Sequence, residues 1–207
     1  MTFTVSGPAY RIHTRRLVLR CWQPEDAPLL KAAIDASLEH LRPWMPWAHQ
    51  EPTDVEVKVT LLRRFRGEFD LGKDFVYGVF SRDEKQVLGG TGLHLRLGEG
   101  AREIGYWIHR EHVGRGLATE LASALTKVAF EVDRVERVEI HCDPENHASA
   151  AVARKSGFVH ENMVHRETAG GELDCSMIWV MRADAYPTSP AAEAEVEAFD
   201  VIGRRIL

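Results

Sequence analysis

Apolar positions along the chain alternate between two periods, and the switches between them mark out the elements. Leu17-Val18-Leu19-Arg20-Cys21-Trp22 reads as a strand with Leu17, Leu19 and Cys21 on one face. Pro24-Glu25-Asp26 opens a helix whose buried stripe is Leu29, Leu30, Ala33 and Ile34, with carboxylates in the first turn where the helix dipole favours them. His40 to Trp47 carries two prolines among its aromatic residues, which breaks regular structure. A second helix is expected from Thr53, as N-cap with Glu56 three residues on, to about Phe69.

The middle alternates with period two. Phe75–Phe80 and Val87–Leu95 form a predicted hairpin around Arg82-Asp83-Glu84-Lys85, and Glu103–His109 is the next strand. Leu117, Leu121, Leu125, Val128 and Val132 then fall on one helical face. Val138–Cys142 alternates again, Asn146–Lys155 is a short helix closed by Ser156-Gly157, and two strands flank Ala169-Gly170-Gly171. The pattern yields about seven strands and about four helices, an α+β arrangement. Residues 1–186 read as one domain. Residues 187–207 read as an extension: a linker, a short acidic helix and an end with apolar flanks, Phe199 to Leu207. Apolar residues there call for cover, either from the domain's own surface, from a partner subunit, or by lying over a substrate groove.

Composition narrows the class. At 207 residues, with 44% hydrophobic and 28% charged residues, the chain is long enough to bury a substantial core. A net charge of -5 argues against a nucleic-acid surface. Cys21, Cys142 and Cys175 are odd in number and widely spaced, so neither a disulfide framework nor a zinc site is indicated. His94, His109, His112 and His141 fit no metal spacing, and no metal is expected. The amino terminus lacks the pattern of a signal peptide and no apolar run reaches membrane-span length, so a cytoplasmic location is the expectation, with no membrane partner and a homodimer as the preferred assembly.

Chemistry concentrates at Val113-Gly114-Arg115-Gly116-Leu117-Ala118, between a strand and a long helix. Paired glycines let successive backbone N–H groups turn toward one point, and the helix that follows adds the positive end of its dipole. Such a turn suits a phosphate.

Three segments together resemble the GNAT superfamily of acetyl-CoA-dependent N-acetyltransferases. They are Glu103-Ile104-Gly105-Tyr106-Trp107-Ile108, Gly114-Arg115-Gly116-Leu117-Ala118-Thr119-Glu120, and Asn146 through Phe158. The chain looks most like the branch that acetylates ribosomal-protein N-termini. The resemblance implies the GNAT fold: a mixed, mostly antiparallel twisted sheet, splayed between the fourth and fifth of the seven strands expected above. It implies acetyl-CoA as co-substrate, its pyrophosphate on the amides of Val113, Gly114, Arg115, Gly116, Leu117 and Ala118. Its pantetheine arm would meet backbone groups of Trp107, Ile108 and His109, with Asn146 and Ser149 nearby. Asn146 also suits a helix N-cap.

For the chemistry, the resemblance points to Glu103 as general base, with Glu167 the other carboxylate. Ser149 would stand in for the family's tyrosine acid, whose position holds Ala153. Glu111 occupies a place where the family usually has Gln or Arg, so the backbone is expected to carry the binding. Trp44 and Trp47 border the expected acceptor groove, either clamping an acceptor or closing the core. The acceptor itself stays open between a protein N-terminus and a small amine such as an antibiotic or polyamine. A CoA-binding module without turnover is the other reading.

Overall fold

The computed structural model describes residues 8–167 and 173–207. The strands are β1 (Arg11–His13), β2 (Leu17–Cys21), β3 (Phe75–Ser81), β4 (Val87–His94), β5 (Ala101–Ile108), β6 (Arg137–Cys142), β7 (Val159–Glu167), β8 (Leu173–Arg182) and β9 (Glu197–Phe199). They form one sheet in the order β7-β8-β6-β5-β4-β3-β2-β1-β9. Every neighbouring pair is antiparallel except β5 and β6. The α+β class and the mixed sheet are as expected, but the sheet has nine strands rather than seven. The two extra strands have three residues each, too short for an alternating pattern to announce them. The turn expected around Ala169 to Gly171 lies outside the described residues.

The helices are α1 (Ala27–Asp35), α2 (Leu38–Leu41), α3 (Val55–Asp70), α4 (Leu117–Glu131) and α5 (His147–Lys155). On α1 the stripe is Ala27, Leu30, Ala33 and Ile34, whereas Leu29 faces solvent. The N-cap of α3 is Asp54 rather than Thr53, because Thr53 is turned back to Glu51 by two hydrogen bonds. On α4 the residues Leu117, Leu121, Leu125 and Val128 are all buried, as their spacing requires.

The core has two parts, one on each sheet face. Leu121, Leu125, Val128, Ile104, Ile140 and Ala153 pack beneath α4 and α5. Val18, Trp22, Leu30, Ile34, Leu62 and Phe80 pack beneath α1 and α3. The carboxyl-terminal segment forms no acidic helix. Residues 190–196 run as turns and extended chain, and β9 pairs with β1 of the same chain. Among the described residues no helix is long and apolar enough to cross a membrane.

Candidate active site

The glycine turn is built on backbone conformation. Gly114 and Gly116 have φ of +72° and +76°, values that side chains disfavour, and Gly116 caps α4 from that conformation. Space is not the constraint, since a Cβ on Gly116 would meet nothing nearer than Arg16 Nη2 at 3.6 Å. The amides of Gly114 through Thr119 donate to no acceptor among the described residues. Six amides at the amino end of a helix of 15 residues make an anion cradle. Glu111 and Arg115 are exposed, and Arg110 is paired with Glu39 at 2.8 Å.

A cation that the sequence reading missed reaches this turn. Arg16 Nη1 donates to the Arg115 carbonyl at 2.8 Å, and its Nε donates to Glu120 at 2.6 Å. Thr14 and the Arg16 amide bond the other Glu120 oxygen. Burial pushes the Glu120 carboxyl up, but these hydrogen bonds outweigh it and hold the group below the usual carboxylate range. The segment Thr14-Arg15-Arg16 and the Glu120 that ends the glycine motif are one unit in space.

Beside the turn the sheet opens. β5 and β6 pair only at Ala101↔Arg137, Arg102↔Val138 and Glu103↔Glu139. The His109 N–H bonds the Leu88 carbonyl, so by strand alternation Glu103, Gly105, Trp107 and His109 direct their backbone groups at β4. Tyr106 and Ile108 direct theirs toward β6, where pairing has ended. Of Trp107, Ile108 and His109, therefore, only Ile108 offers backbone groups to the opening, and Tyr106 is the second contributor. His40 on α2 donates Nε2–H to the Ile108 carbonyl at 2.9 Å, which leaves the Ile108 N–H and both Tyr106 groups open.

Across the opening stands α5. Asn146 Oδ1 accepts from the Ser149 amide at 3.0 Å, an N-cap that leaves its Nδ2 free. The Ser149 hydroxyl lies 2.8 Å from the Tyr106 hydroxyl. Burial pushes the Tyr106 phenol up, offset in part by the Ser149 bond. Burial also raises the Cys142 thiol, which speaks against a thiolate nucleophile there. Ala153 is buried in the core.

On the opposite face, β4 and β5 present three cross-strand pairs: Gly90↔Trp107, Gly92↔Gly105 and His94↔Glu103. Trp107 lies over Gly90, where a Cβ would sit 2.6 Å from its indole Nε1. The Trp47 ring meets Trp107 edge-on at 6.1 Å between centroids, so Trp47 closes the wall of this face, while Trp44 stays exposed. The His94 imidazole folds back over Gly92 and Gly105, and its Nδ1 is 2.7 Å from Asp74 Oδ2.

Glu103 is 6% exposed and held by both nitrogens of an Arg96 fork, one at 2.6 Å. Burial raises its carboxyl, but the Arg96 bonds and the nearby His141 hold it below the usual range. His141 is bonded to Glu139 at 2.6 Å. The backbone of Glu167 ends β7, and its side chain lies outside the described residues. His109 and His112 sit edge-to-face at 5.4 Å, away from His94 and His141.

The chain is similar to known proteins. The model of the acetyltransferase (GNAT) domain matches residues 16–159. The [ribosomal protein uS5]-alanine N-acetyltransferase of Escherichia coli (strain K12) is 26% identical over 159 residues, 74% of this chain and 80% of its own length. RimJ of Mycobacterium smegmatis, solved in complex with CoA-disulfide, aligns with a TM-score of 0.73 at 24% identity, covering 88% of this chain and 91% of its own. The Microcin C7 self immunity acetyltransferase MccE, solved with acetyl-CoA and AMP, aligns with a TM-score of 0.74 at 18% identity, covering 87% and 98%. These two likenesses are of fold. With an amide cradle, a splayed strand pair and a family match spanning most of its length, this chain belongs to the GNAT acetyltransferase family and is an N-acetyltransferase.

Proposed function

We propose that the protein moves acetyl from acetyl-CoA to the α-amine of a protein N-terminus, by direct attack while both substrates are bound. The observation that carries this reading is the continuity of three features. The cradle at Gly114 to Thr119 follows the end of β5, β5 parts from β6 beyond Glu103, and the other face of β5 presents the Trp107 and His94 rings over glycines. The name of the Escherichia coli relative, which acts on an alanine of ribosomal protein uS5, supports the acceptor class.

In this reading the cradle amides and the α4 dipole take the pyrophosphate, with Arg16 and Arg115 as adjacent cations. The amides of Tyr106 and Ile108 face the pantetheine arm, and one of them donates to the thioester oxygen as charge develops there. Asn146 Nδ2 is a second donor along the arm. Acetyl-CoA supplies an activated acyl group and a thiolate leaving group. The Ser149 hydroxyl gives a proton to that thiolate, and the Tyr106 hydroxyl hydrogen-bonded to it replaces the proton. Gly90, Gly92 and Gly105 let the Trp107 and His94 rings lie flat on the sheet, so that these two rings face the acceptor.

The test combines acetyl-CoA with a peptide beginning in Ala or Ser and follows thiol release and peptide mass. Release matched by one acetyl per peptide is expected, and none with the same peptide already blocked at its amine. Release with polyamines or aminoglycosides but not peptides would reassign the acceptor. Gly116→Val is expected to abolish CoA binding by calorimetry, and unchanged affinity would remove the cradle assignment.

A further inference from the structure

Deprotonating the acceptor is the step for which Glu103 is poorly suited. An ammonium has no lone pair, so some group must take a proton before the nitrogen can attack. Glu103 is buried, its oxygens are engaged by Arg96, and it is held in its charged form below the ordinary range. A carboxylate stabilised in that way is a weak proton acceptor at neutral pH.

We propose that His94, oriented by Asp74, takes the proton from the acceptor amine. This rests on acetyl transfer at the β5–β6 opening as described above. Asp74, just before β3, is fixed at both ends of its carboxylate: Oδ2 meets His94 Nδ1 at 2.7 Å and Oδ1 accepts from the Leu95 amide at 3.3 Å. A carboxylate only accepts, so Nδ1 carries the hydrogen, and in the neutral ring Nε2 carries the lone pair. Among the described residues Nε2 has no hydrogen-bond partner.

Two glycines put that lone pair in place. A Cβ on Gly92 would collide with the imidazole Nε2, and one on Gly105 would stand 3.3 Å from it. The ring therefore lies across the Gly92↔Gly105 pair, one residue along β5 from Tyr106, whose backbone faces the opening. It is on the same face as Trp107 and Trp47, the walls of the acceptor side. The charged groups around it are Asp74, Arg96 after β4, Glu103 on β5, and Glu139 and His141 on β6. These acids are tied to Arg96, Arg137 and His141, which leaves the His94 lone pair available.

The step balances simply. His94 Nε2 forms a bond to one ammonium proton, and the freed nitrogen pair attacks the thioester carbon. The carbon–sulfur bond breaks with its electrons on sulfur, which takes a proton from Ser149. The amine nitrogen's remaining surplus proton passes through water to the Ser149–Tyr106 pair and restores it, and His94 releases the first to solvent.

The experiment compares His94→Gln, Asp74→Asn, Glu103→Gln and Gly92→Ala on whichever amine the wild-type protein acetylates. His94→Gln is expected to lower kcat about a hundredfold and to abolish the acid limb of the kcat/KM profile, with CoA affinity unchanged by calorimetry. Gly92→Ala displaces the ring without altering any titratable group and should lose activity in the same way. Glu103→Gln is expected to stay within about threefold of wild type. An acceptor whose amine is already neutral at the assay pH should be nearly insensitive to His94→Gln. Near-normal turnover in His94→Gln with its acid limb intact overturns the proposal, as does collapse of activity and loss of that limb in Glu103→Gln alone. Failure of peptides with success of a small amine overturns the acceptor class and leaves His94 to be judged on that amine. No acetylation of any amine overturns both.

Discussion

The bond between the Tyr106 and Ser149 hydroxyls joins two elements that sequence distance keeps 43 residues apart. Ser149 was legible as a candidate acid only through the family resemblance, in which Ala153 holds the place of the usual tyrosine. Tyr106 was not, since a tyrosine in an alternating strand reads as packing, and only the splay shows that its side faces α5. The phenol is raised by burial, so it stays protonated through the neutral and mildly alkaline range. Its removal should therefore change the size of kcat and not the shape of its pH profile. Tyr106→Phe is expected to lower kcat by about tenfold at every pH from about 6 to 9, with CoA affinity retained. A new or shifted limb would show that the phenol titrates during turnover. Glu103 is the converse case. Strand alternation puts it on one face with Gly105 and Trp107, but Arg96 lies seven residues earlier in a loop, and no periodicity announces the ion pair.

At the scale of elements, α2 is a helix that the pattern does not announce, and α3 is one whose pattern announces the helix but not its chemistry. Residues near 40 read as irregular, yet α2 forms and fastens to the active strand. Ser37 Oγ accepts from the Arg110 amide at 3.1 Å, and His40 bonds the Ile108 carbonyl. On α3 the apolar stripe includes Lys58, which is 1% exposed and paired with Glu51. A lysine among valines and leucines gives no sign of which carboxylate awaits it. Breaking a buried pair from one side leaves the other charge unpaired, a cost of about 3–5 kcal/mol. Lys58→Met alone should lower the thermal midpoint by about 10 °C. Adding Glu51→Gln to it should restore most of the loss. Equal destabilisation of the single and double variants would mean that packing of the lysine stem, rather than the charge, holds the start of α3.

Across the whole molecule, the carboxyl-terminal segment connects the two ends of the sheet. It leaves β8 at one side, crosses the outer surface of α4, and reaches β1 at the far edge. Its contacts are distributed: Tyr186 stacks on Phe130 at 4.7 Å, and Lys127 donates to the Ala192 carbonyl at 2.9 Å. Gly157, at φ +94°, lies so close beneath the segment that a Cβ would stand 2.8 Å from Pro190. β9 then pairs with β1, Ala198 is fully buried, and Ile206 and Leu207 pack against the core. Of the apolar residues at this end, Ile206 and Leu207 take their cover from the protein's own sheet, whereas Val201 and Ile202 stay exposed. An edge strand as short as β1, stripped of β9, exposes unpaired backbone groups and the apolar residues beneath them. Removing residues 187–207 should therefore lower the thermal midpoint by at least about 5 °C and promote aggregation on heating. The cradle lies on the α4 terminus and not on this strand, so CoA affinity measured well below the midpoint should fall by less than about threefold. A truncated protein with an unchanged midpoint would show that β9 adds nothing to the sheet. Loss of CoA binding in a protein that remains folded would instead tie the segment to the nucleotide end of the site, where Pro190 and residues 193–196 line a cleft with Gly116, Thr119 and Lys155.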